Sequence, residues 1–541
     1  MIRITELALP LDHPADALRA AIVQRLAIAS DELLDFTVFK RSYDARKKHS
    51  AILFVYIVDV AVRDEAAVLQ RLANDRHIGP SPDTGYHPVA KAPADLRERP
   101  VIVGFGPCGL FAALLLAQMG FRPIVLERGR DVRRRTKDTW GLWRKRELTP
   151  ESNVQFGEGG AGLFSDGKLY SQIKDPKFYG RKVMAEFVRA GAPAEIMYVS
   201  KPHIGTFRLT GVVAAMREEI IRLGGEVRFE QKVTDLLIDN GGIEGVVLAN
   251  GEQIRSRHVV LALGHSARDT FRLLKRRGVF LEAKPFAIGF RIEHPQSQID
   301  RARLGKYAGH PALGAADYKL VHHAKNGRAV YSFCMCPGGT VVAATSEPNR
   351  VVTNGMSQYS RNERNANAAI VVGIDPHTDF PGDALAGVEL QERLESHAFE
   401  LGGSDYSAPA QLVGDFLRGV PSTALGDVEP SYKPGVKLTD LASALPIYAI
   451  EAIREALPVF GKQIRGFDRA DAVLTGVETR TSSPVRITRD ANTLQSLNTR
   501  GLYPAGEGAG YAGGILSAGV DGIRVAEAVA RAILADAAVP A

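Results

Sequence analysis

Between Pro100 and Gly129 the apolar positions change period twice. Val101 to Val103 form a short continuous apolar run. Leu110 to Met119 are almost wholly apolar over helical length, and Pro123 to Leu126 form a second short run that stops at Glu127. The pattern predicts strand, packed helix, strand. Gly104, Gly106 and Gly109 lie in the first connection and spell G-x-G-x-x-G, with Pro107 and Cys108 between them. Gly104 permits the tight turn, Gly106 lets a pyrophosphate approach the backbone, and Gly109 lets helix and strand pack closely. The helix N-terminus turns unpaired N–H groups and a positive dipole end toward the phosphates. Glu127, followed by Arg128, ends the second strand, where a carboxylate can accept hydrogen bonds from both ribose hydroxyls. The glycines alone are weak evidence. In register with strand, helix, strand and acid, they predict an adenine dinucleotide site.

A second pattern closes the chain. Gly501 to Ile515 precedes a helical periodicity from about Leu516 to Leu534, and Gly508, Gly510 and Gly513 repeat the fingerprint spacing. No strand is predicted after that helix, so a second complete βαβ unit is not expected. Leu502 to Ala505 reads instead as a strand returning to the first unit, with Gly506-Glu507 beside the ligand and Gly513, Gly514 and Ile515 opening the last helix toward it. In the middle, Gly224 to Ile238 predicts two strands meeting near Val233, and His258 to Gly264 predicts an apolar strand ending in glycine. This layout resembles the two-dinucleotide-binding-domain flavoproteins of the glutathione reductase type. The resemblance implies FAD rather than NAD, with Glu507 on the ribityl chain, the backbone at Val233 on adenine, and Ala262 to Gly264 against the cofactor.

The expected fold class is α/β. A Rossmann-like FAD-binding domain occupies residues 100–275 and 471–541, with an inserted α+β substrate domain at 276–470. Residues 1–76 read β-α-β-β-α, with Leu18, Ile22, Val23 and Leu26 on one helix face, and predict a ferredoxin-like α+β domain. Residues 77–99 are rich in proline and predict a linker.

Asn153 to Leu169 is a loop of small residues in which Gly157, Gly159 and Gly162 again match the fingerprint. No strand clearly precedes it and no helix follows, so a nucleotide turn is rejected there. Small residues let the backbone approach a flat ring. Together with Ser332 to Gly339, Asn354 to Ser357 and Thr479 to Pro484, this loop resembles the uncharacterised FAD-dependent dehydrogenase family, also called NAD- or FAD-utilising dehydrogenases, over about residues 1 to 541. The resemblance implies that Gly159, Gly160, Ala161 and Gly162 pack against the isoalloxazine, and that Ser165, Asp166 and Lys168 meet flavin or substrate. It implies no substrate. The catalytic residue is left unknown, with Ser165, Lys168 and Arg480 as candidates. Ser482 and Ser483 join Arg480 in a polar cluster expected at the substrate or the flavin rim.

The remaining features narrow this picture modestly. A net charge of +7 over 541 residues favours anionic ligands such as NAD(P)H, a transient electron donor in this reading, without requiring nucleic acid. No apolar run approaches the roughly 20 residues a membrane helix needs. Three cysteines argue for a reducing compartment, and the cytoplasm is expected. Cys334 and Cys336 tempt as a redox pair, but a C-x-C bridge closes a small, strained ring, so packing beside the flavin is expected. No metal site is expected. His203, His265, His377, His322 and His323 are undifferentiated candidates for a general acid, and Asp521 is assigned no role. The leading expectation is a soluble FAD-dependent oxidoreductase acting on an unidentified small molecule. Two others stay open: an RNA-associated flavoprotein using Lys40, Arg41, Arg46, Lys47 and Lys48 of the N-terminal domain, and a redox-silent flavin-binding regulator.

Overall fold

The computed structural model describes residues 1–46, 51–96 and 98–538. Lys47 and Lys48 therefore lie outside the described residues. At the N-terminus, β1 (Ile2–Pro10), β2 (Leu33–Asp44), β3 (Leu53–Val62) and β4 (Ile78–Pro80) form an antiparallel sheet of order β2-β3-β1-β4. Strict alternation in β3 buries Val58, Val60 and Val62. The helix Ala17–Leu26 buries Leu18, Ile22 and Leu26. β4 falls inside the stretch expected to be a linker. Its Pro80 sits at the sheet edge, where proline costs no internal ladder bond, so a linker-like composition concealed an edge strand. Arg41 exchanges backbone hydrogen bonds with Tyr198 and Ser200, and its guanidinium lies over Phe54 and Tyr198. Arg46 pairs with Asp44.

The nucleotide unit is a five-stranded parallel sheet of order β22-β11-β5-β6-β7, built from β5 (Val101–Val103), β6 (Ile124–Leu126), β7 (Glu226–Arg228), β11 (Val259–Leu261) and β22 (Leu502–Pro504). Four of these strands are buried at every position, as a parallel sheet covered on both faces requires. β8 (Val233–Asp239), β9 (Gly242–Leu248) and β10 (Gln253–Arg255) make a separate antiparallel sheet. The helix Pro107–Gln118 follows β5, and the final helix Ile515–Ala538 packs on it.

β12 (Leu281–Ala283) pairs with β21 (Val485–Ile487) where the chain leaves and re-enters this unit. Between them lies a sheet of order β14-β15-β17-β13-β20-β18-β19, with β16 paired to β15. Its strands are β13 (Phe286–Pro295), β14 (Val321–His323), β15 (Ala329–Ala343), β16 (Thr353–Ser357), β17 (Asn365–Ile374), β18 (Ala408–Leu412), β19 (Val436–Leu438) and β20 (Val473–Glu478). The insertion thus runs beyond the expected limit at 470, because β20 lies between β13 and β18. A fully buried strand looks the same in sequence whichever sheet takes it, so only the pairing assigns β20.

Candidate cofactor cleft

The C-terminal ends of β5, β6 and β11, the loop after β22 and the inserted sheet enclose one cleft, with an empty volume of about 1780 Å³ including its open mouth. Of the residues expected to hold the cofactor, Gly104, Gly106, Pro107, Cys108, Glu127, Arg128, Gly160, Ala161, Gly162, Ser165, Lys168, Val233, Ala262, Gly264, Glu507, Gly513, Gly514 and Ile515 line it. Gly109, Gly159 and Gly506 stand behind the lining. A Cβ on Gly109 would lie 2.0 Å from the Gly104 carbonyl oxygen, so this glycine serves helix–strand packing. Gly159 N donates to the Phe105 carbonyl at 2.8 Å, and Gly506 N donates to Asp521 Oδ2 at 2.8 Å.

Glu127 is the hub of the turn. Its Oε2 accepts from Phe105 N at 2.9 Å, and its Oε1 accepts from Gly129 N at 2.8 Å and Gly157 N at 2.9 Å. The carboxylate expected at the ribose therefore also joins the glycine turn to the Asn153–Leu169 loop. Arg135, fully buried, holds the other side of that loop through the carbonyls of Asn153, Val154, Gly157 and Glu158. Burial draws its guanidinium down to about 10, against the pull of Glu127 and Glu158. Gly160 packs on Gly106 closely enough that a Cβ on Gly160 would lie 2.8 Å from Gly106 Cα. Asp521, to which the sequence assigned no role, is buried. It pairs with Arg489 at 2.6 Å, and Arg489 also donates to the Pro504 carbonyl at 2.7 Å. Together they clamp the end of β22 against the last helix.

These walls fit a dinucleotide. A Cβ on Gly264 or Gly513 would meet nothing within 4 Å, so bare backbone faces open space in the cleft. Two helices, Pro107–Gln118 and Ile515–Ala538, begin on the lining, where first-turn amides have no intrahelical acceptor.

Sequence comparison agrees with this geometry. Residues 285–481 match the model for "FAD-dependent protein, C-terminal domain-like", residues 199–308 match "FAD dependent oxidoreductase", and residues 1–61 match a domain of unknown function. A Clostridium beijerinckii protein, described as uncharacterized, is 49% identical over 528 residues, covering 97% of this chain and 98% of its own. This chain belongs to the FAD-dependent oxidoreductase family. Its cofactor is FAD. Among solved structures, glycine oxidase from Geobacillus kaustophilus is similar at 14% identity, covering 80% of this chain and 95% of that one, with a TM-score of 0.34. A variant of the halogenase PltM in complex with FAD is similar at 12% identity, covering 82% and 71%, with a TM-score of 0.40.

In this FAD-dependent oxidoreductase the three candidate catalytic residues all line the cleft, yet each is already engaged. Ser165 Oγ donates to the Gly162 carbonyl at 2.7 Å and accepts from Gly167 N at 3.0 Å. Lys168 Nζ donates to the Met335 carbonyl. Burial pulls Lys168 down, but negative charge at the neighbouring cysteine sulfurs and Asp166 outweighs it and holds the ammonium above its ordinary value. Asp166 is buried and paired with Arg361. Arg480 bonds Glu395, Ser266 and Ser346, which occupies its Nε and both terminal nitrogens. The guanidinium expected at the substrate is thus part of the wall. Ser483 Oγ bonds the Val485 and Gly508 carbonyls and is likewise structural.

The histidines separate clearly in the structure. His265 lines the cleft, but burial next to Arg480 and Arg268 pushes it down to about 3, so it is neutral at ordinary pH. His203 bonds the Tyr359 carbonyl at 2.9 Å, His322 pairs with Glu455, and His377 is exposed. Sequence reasoning missed Glu478 and gave Asn354, Phe333 and Thr481 no role beyond the motifs that contain them; together the four complete the wall that the inserted sheet presents. Burial pushes the Glu478 carboxyl up to about 7 despite Arg291 and the hydrogen bond from Thr353. Glu507 rises to about 7 for the same reason, with Lys284 opposing. Among the described residues no group of three or more His, Cys, Asp or Glu is placed to hold a metal, and no helix is long and apolar enough to cross a membrane.

Proposed function

We propose that this protein oxidises or reduces a small molecule by hydride transfer through non-covalently held FAD. The observation that carries the reading is the shared cleft: glycine-lined backbone and two helix N-termini on one side, the inserted sheet with Cys334 and Glu478 on the other, and Lys168 reaching across from the Asn153–Leu169 loop. FAD bound there supplies a reversible two-electron acceptor. The chain's own residues do the rest. The Gly104 and Gly106 turn and the first turn of the last helix receive the phosphates, Glu127 holds the adenosine side, and the inserted sheet presents ionisable groups to whatever enters the mouth.

We read the nucleotide unit as of glutathione reductase type, supported by the parallel order β22-β11-β5-β6-β7 beside the β8 to β10 sheet. The chain falls, in our reading, within the FAD-dependent dehydrogenases whose motifs it resembles. We read the N-terminal sheet as a ferredoxin-like sandwich, supported by its β-α-β-β-α-β order. NAD(P)H is assigned as a transient donor. Among the described residues there is no second parallel sheet of the nucleotide type, so it would enter through the same mouth.

The test is direct. The purified protein is expected to release FAD on denaturation, and stopped-flow mixing with NADH or NADPH to bleach the flavin band. A flavin that neither nicotinamide nor any small-molecule donor reduces would favour a redox-silent flavin-binding regulator instead.

A further inference from the structure

A local irregularity of the inserted sheet faces the cleft. β15 and β17 pair regularly as far as Phe333 with Ala369, then shift register before Cys336 meets Asn367. The residues in that bulge are Cys334 and Met335. Cys334 has φ +44°, a left-handed backbone that a residue with a Cβ adopts at a cost. Bulges recur beside active sites because they re-aim a side chain. This one puts Cys334 on the cleft lining while Cys336 stays fully buried.

Two cations hold the bulge. Arg291 on β13, wholly buried, donates from Nη2 to the Cys334 carbonyl at 2.8 Å, and Lys168 donates to the Met335 carbonyl from the opposite wall. Arg291 Nη1 also reaches Glu478 Oε1 on β20, but only at 3.5 Å, while Thr353 on β16 donates to Glu478 Oε2 at 3.2 Å. Other acids nearby are firmly satisfied: Asp166 by Arg361, Glu395 by two arginines, Glu127 by three amides. Two acids on the lining lack a short side-chain bond: Glu478 on the inserted sheet, beside Cys334, and Glu507 after β22, whose charged neighbour is Lys284.

We propose that Cys334, in the bulge that Lys168 and Arg291 clamp by its carbonyls, is the proton acceptor for substrate oxidation in this cleft, with Glu478 the neighbouring acid. This rests on the oxidoreductase reading above. The substrate class it fits is a small alcohol or amine. The O–H or N–H bond breaks, its electron pair stays on the heteroatom, and a new S–H bond forms on Cys334. The adjacent carbon loses hydride, with its electron pair, to the bound oxidant, and a C=O or C=N bond forms. Substrate is oxidised and cofactor reduced by two electrons.

The electrostatics agree. The interaction with Cys336 lowers the Cys334 thiol against its burial, helped by Lys168 and Arg291 and opposed by Glu478. Cys336 itself goes well above its ordinary value. One step further out stand Tyr318, close to Arg291 and Cys336, and the Asp166–Arg361 pair behind Lys168. Neighbouring groups driven apart in this way mark acid and base.

Alkylation tests this without knowing the substrate. The FAD-bound protein is treated with iodoacetamide from pH 5 to 9, and each cysteine is followed by peptide mass spectrometry. Cys334 is expected to react with a midpoint below 8, at least tenfold faster at pH 7 than Cys108 or Cys336. Lys168→Met should raise that midpoint by about one unit, and Cys336→Ala provides the same check should Lys168→Met fail to fold. A midpoint of 8 or above in the parent, or one that both variants leave in place, would overturn the proposal. Small alcohols and amines that reduce the flavin should show kcat/KM falling below the same midpoint, with Lys168→Met moving the limb. A limb that stays put would refute the base role. If no donor reduces the flavin while Cys334 titrates below 8, the oxidoreductase reading fails and the thiolate assignment stands.

Discussion

Replacing Glu395 with glutamine should loosen the cleft from behind. Glu395 is fully buried in the helix Ala386–Leu401. It accepts from Arg268 at 2.7 and 3.0 Å, from Arg480 at 2.9 and 2.7 Å, and from Thr479 at 2.8 Å. Arg268 starts the helix after β11, and Arg480 follows β20, so one carboxylate ties the nucleotide unit to the insertion. The amide preserves shape but leaves two buried guanidiniums facing each other, with only the partly exposed Glu347 between them. Breaking a buried pair by removing one partner costs about 3–5 kcal/mol. For a unit of 150–250 residues this corresponds to a fall of roughly 6–20 °C in Tm, at about 2–4 °C per kcal/mol. A chain of several units does not unfold in one step, so the assay is flavin fluorescence on heating, which reports opening of this cleft. The pH dependence gives a second check. Burial raises Glu395, but Arg268 and Arg480 outweigh it and hold the carboxyl well below its ordinary value. Its contribution is therefore complete above the unfolded carboxyl value and is lost as pH falls through the folded one. The gap between parent and Glu395→Gln should be full at pH 7 and narrow in acid. A flavin-release midpoint within 2 °C of the parent at pH 7, or a gap that does not narrow in acid, would refute the argument.

Other outcomes follow from the cleft itself. Gly106→Val places a branched side chain on the lining, so the purified variant should carry no FAD; stoichiometric FAD in it would contradict the phosphate assignment. Asp521→Ala removes the acceptor of Gly506 N and the partner of Arg489, and a charged hydrogen bond of about 1.5–3 kcal/mol translates to at least a tenfold weaker FAD Kd by titration of the FAD-free protein. In an anaerobic reductive titration the protein should take up two electrons per FAD. Uptake of four would make Cys334 and Cys336 a dithiol relay and contradict the expectation that they do not form a redox pair.

How much was legible in the sequence follows from the range of each interaction. Gly104, Gly106, Gly109, Glu127 and the final helix could be read from the chain because their chemistry is local. A glycine turn between a short apolar run and a helix constrains its own backbone within a few residues, and the acid at the end of the next strand is positioned by that same unit. The antiparallel N-terminal strands announced themselves through alternation, as β3 shows. What the sequence could not assign depends on partners far along the chain. Arg480 looked like a substrate ligand because nothing near it in sequence reveals Glu395, 85 residues away, already filling its fork. Asp521 looked idle until Arg489 and the Gly506 amide closed on it. β20 could not be told from a returning strand of the nucleotide sheet, since a fully buried strand carries no mark of its neighbours. Cys334 and Glu478 lie 144 positions apart in the chain. Only the pairing of β15, β17, β13 and β20 brings them to one wall, and the charge of buried side chains is decided by the groups that folding sets beside them.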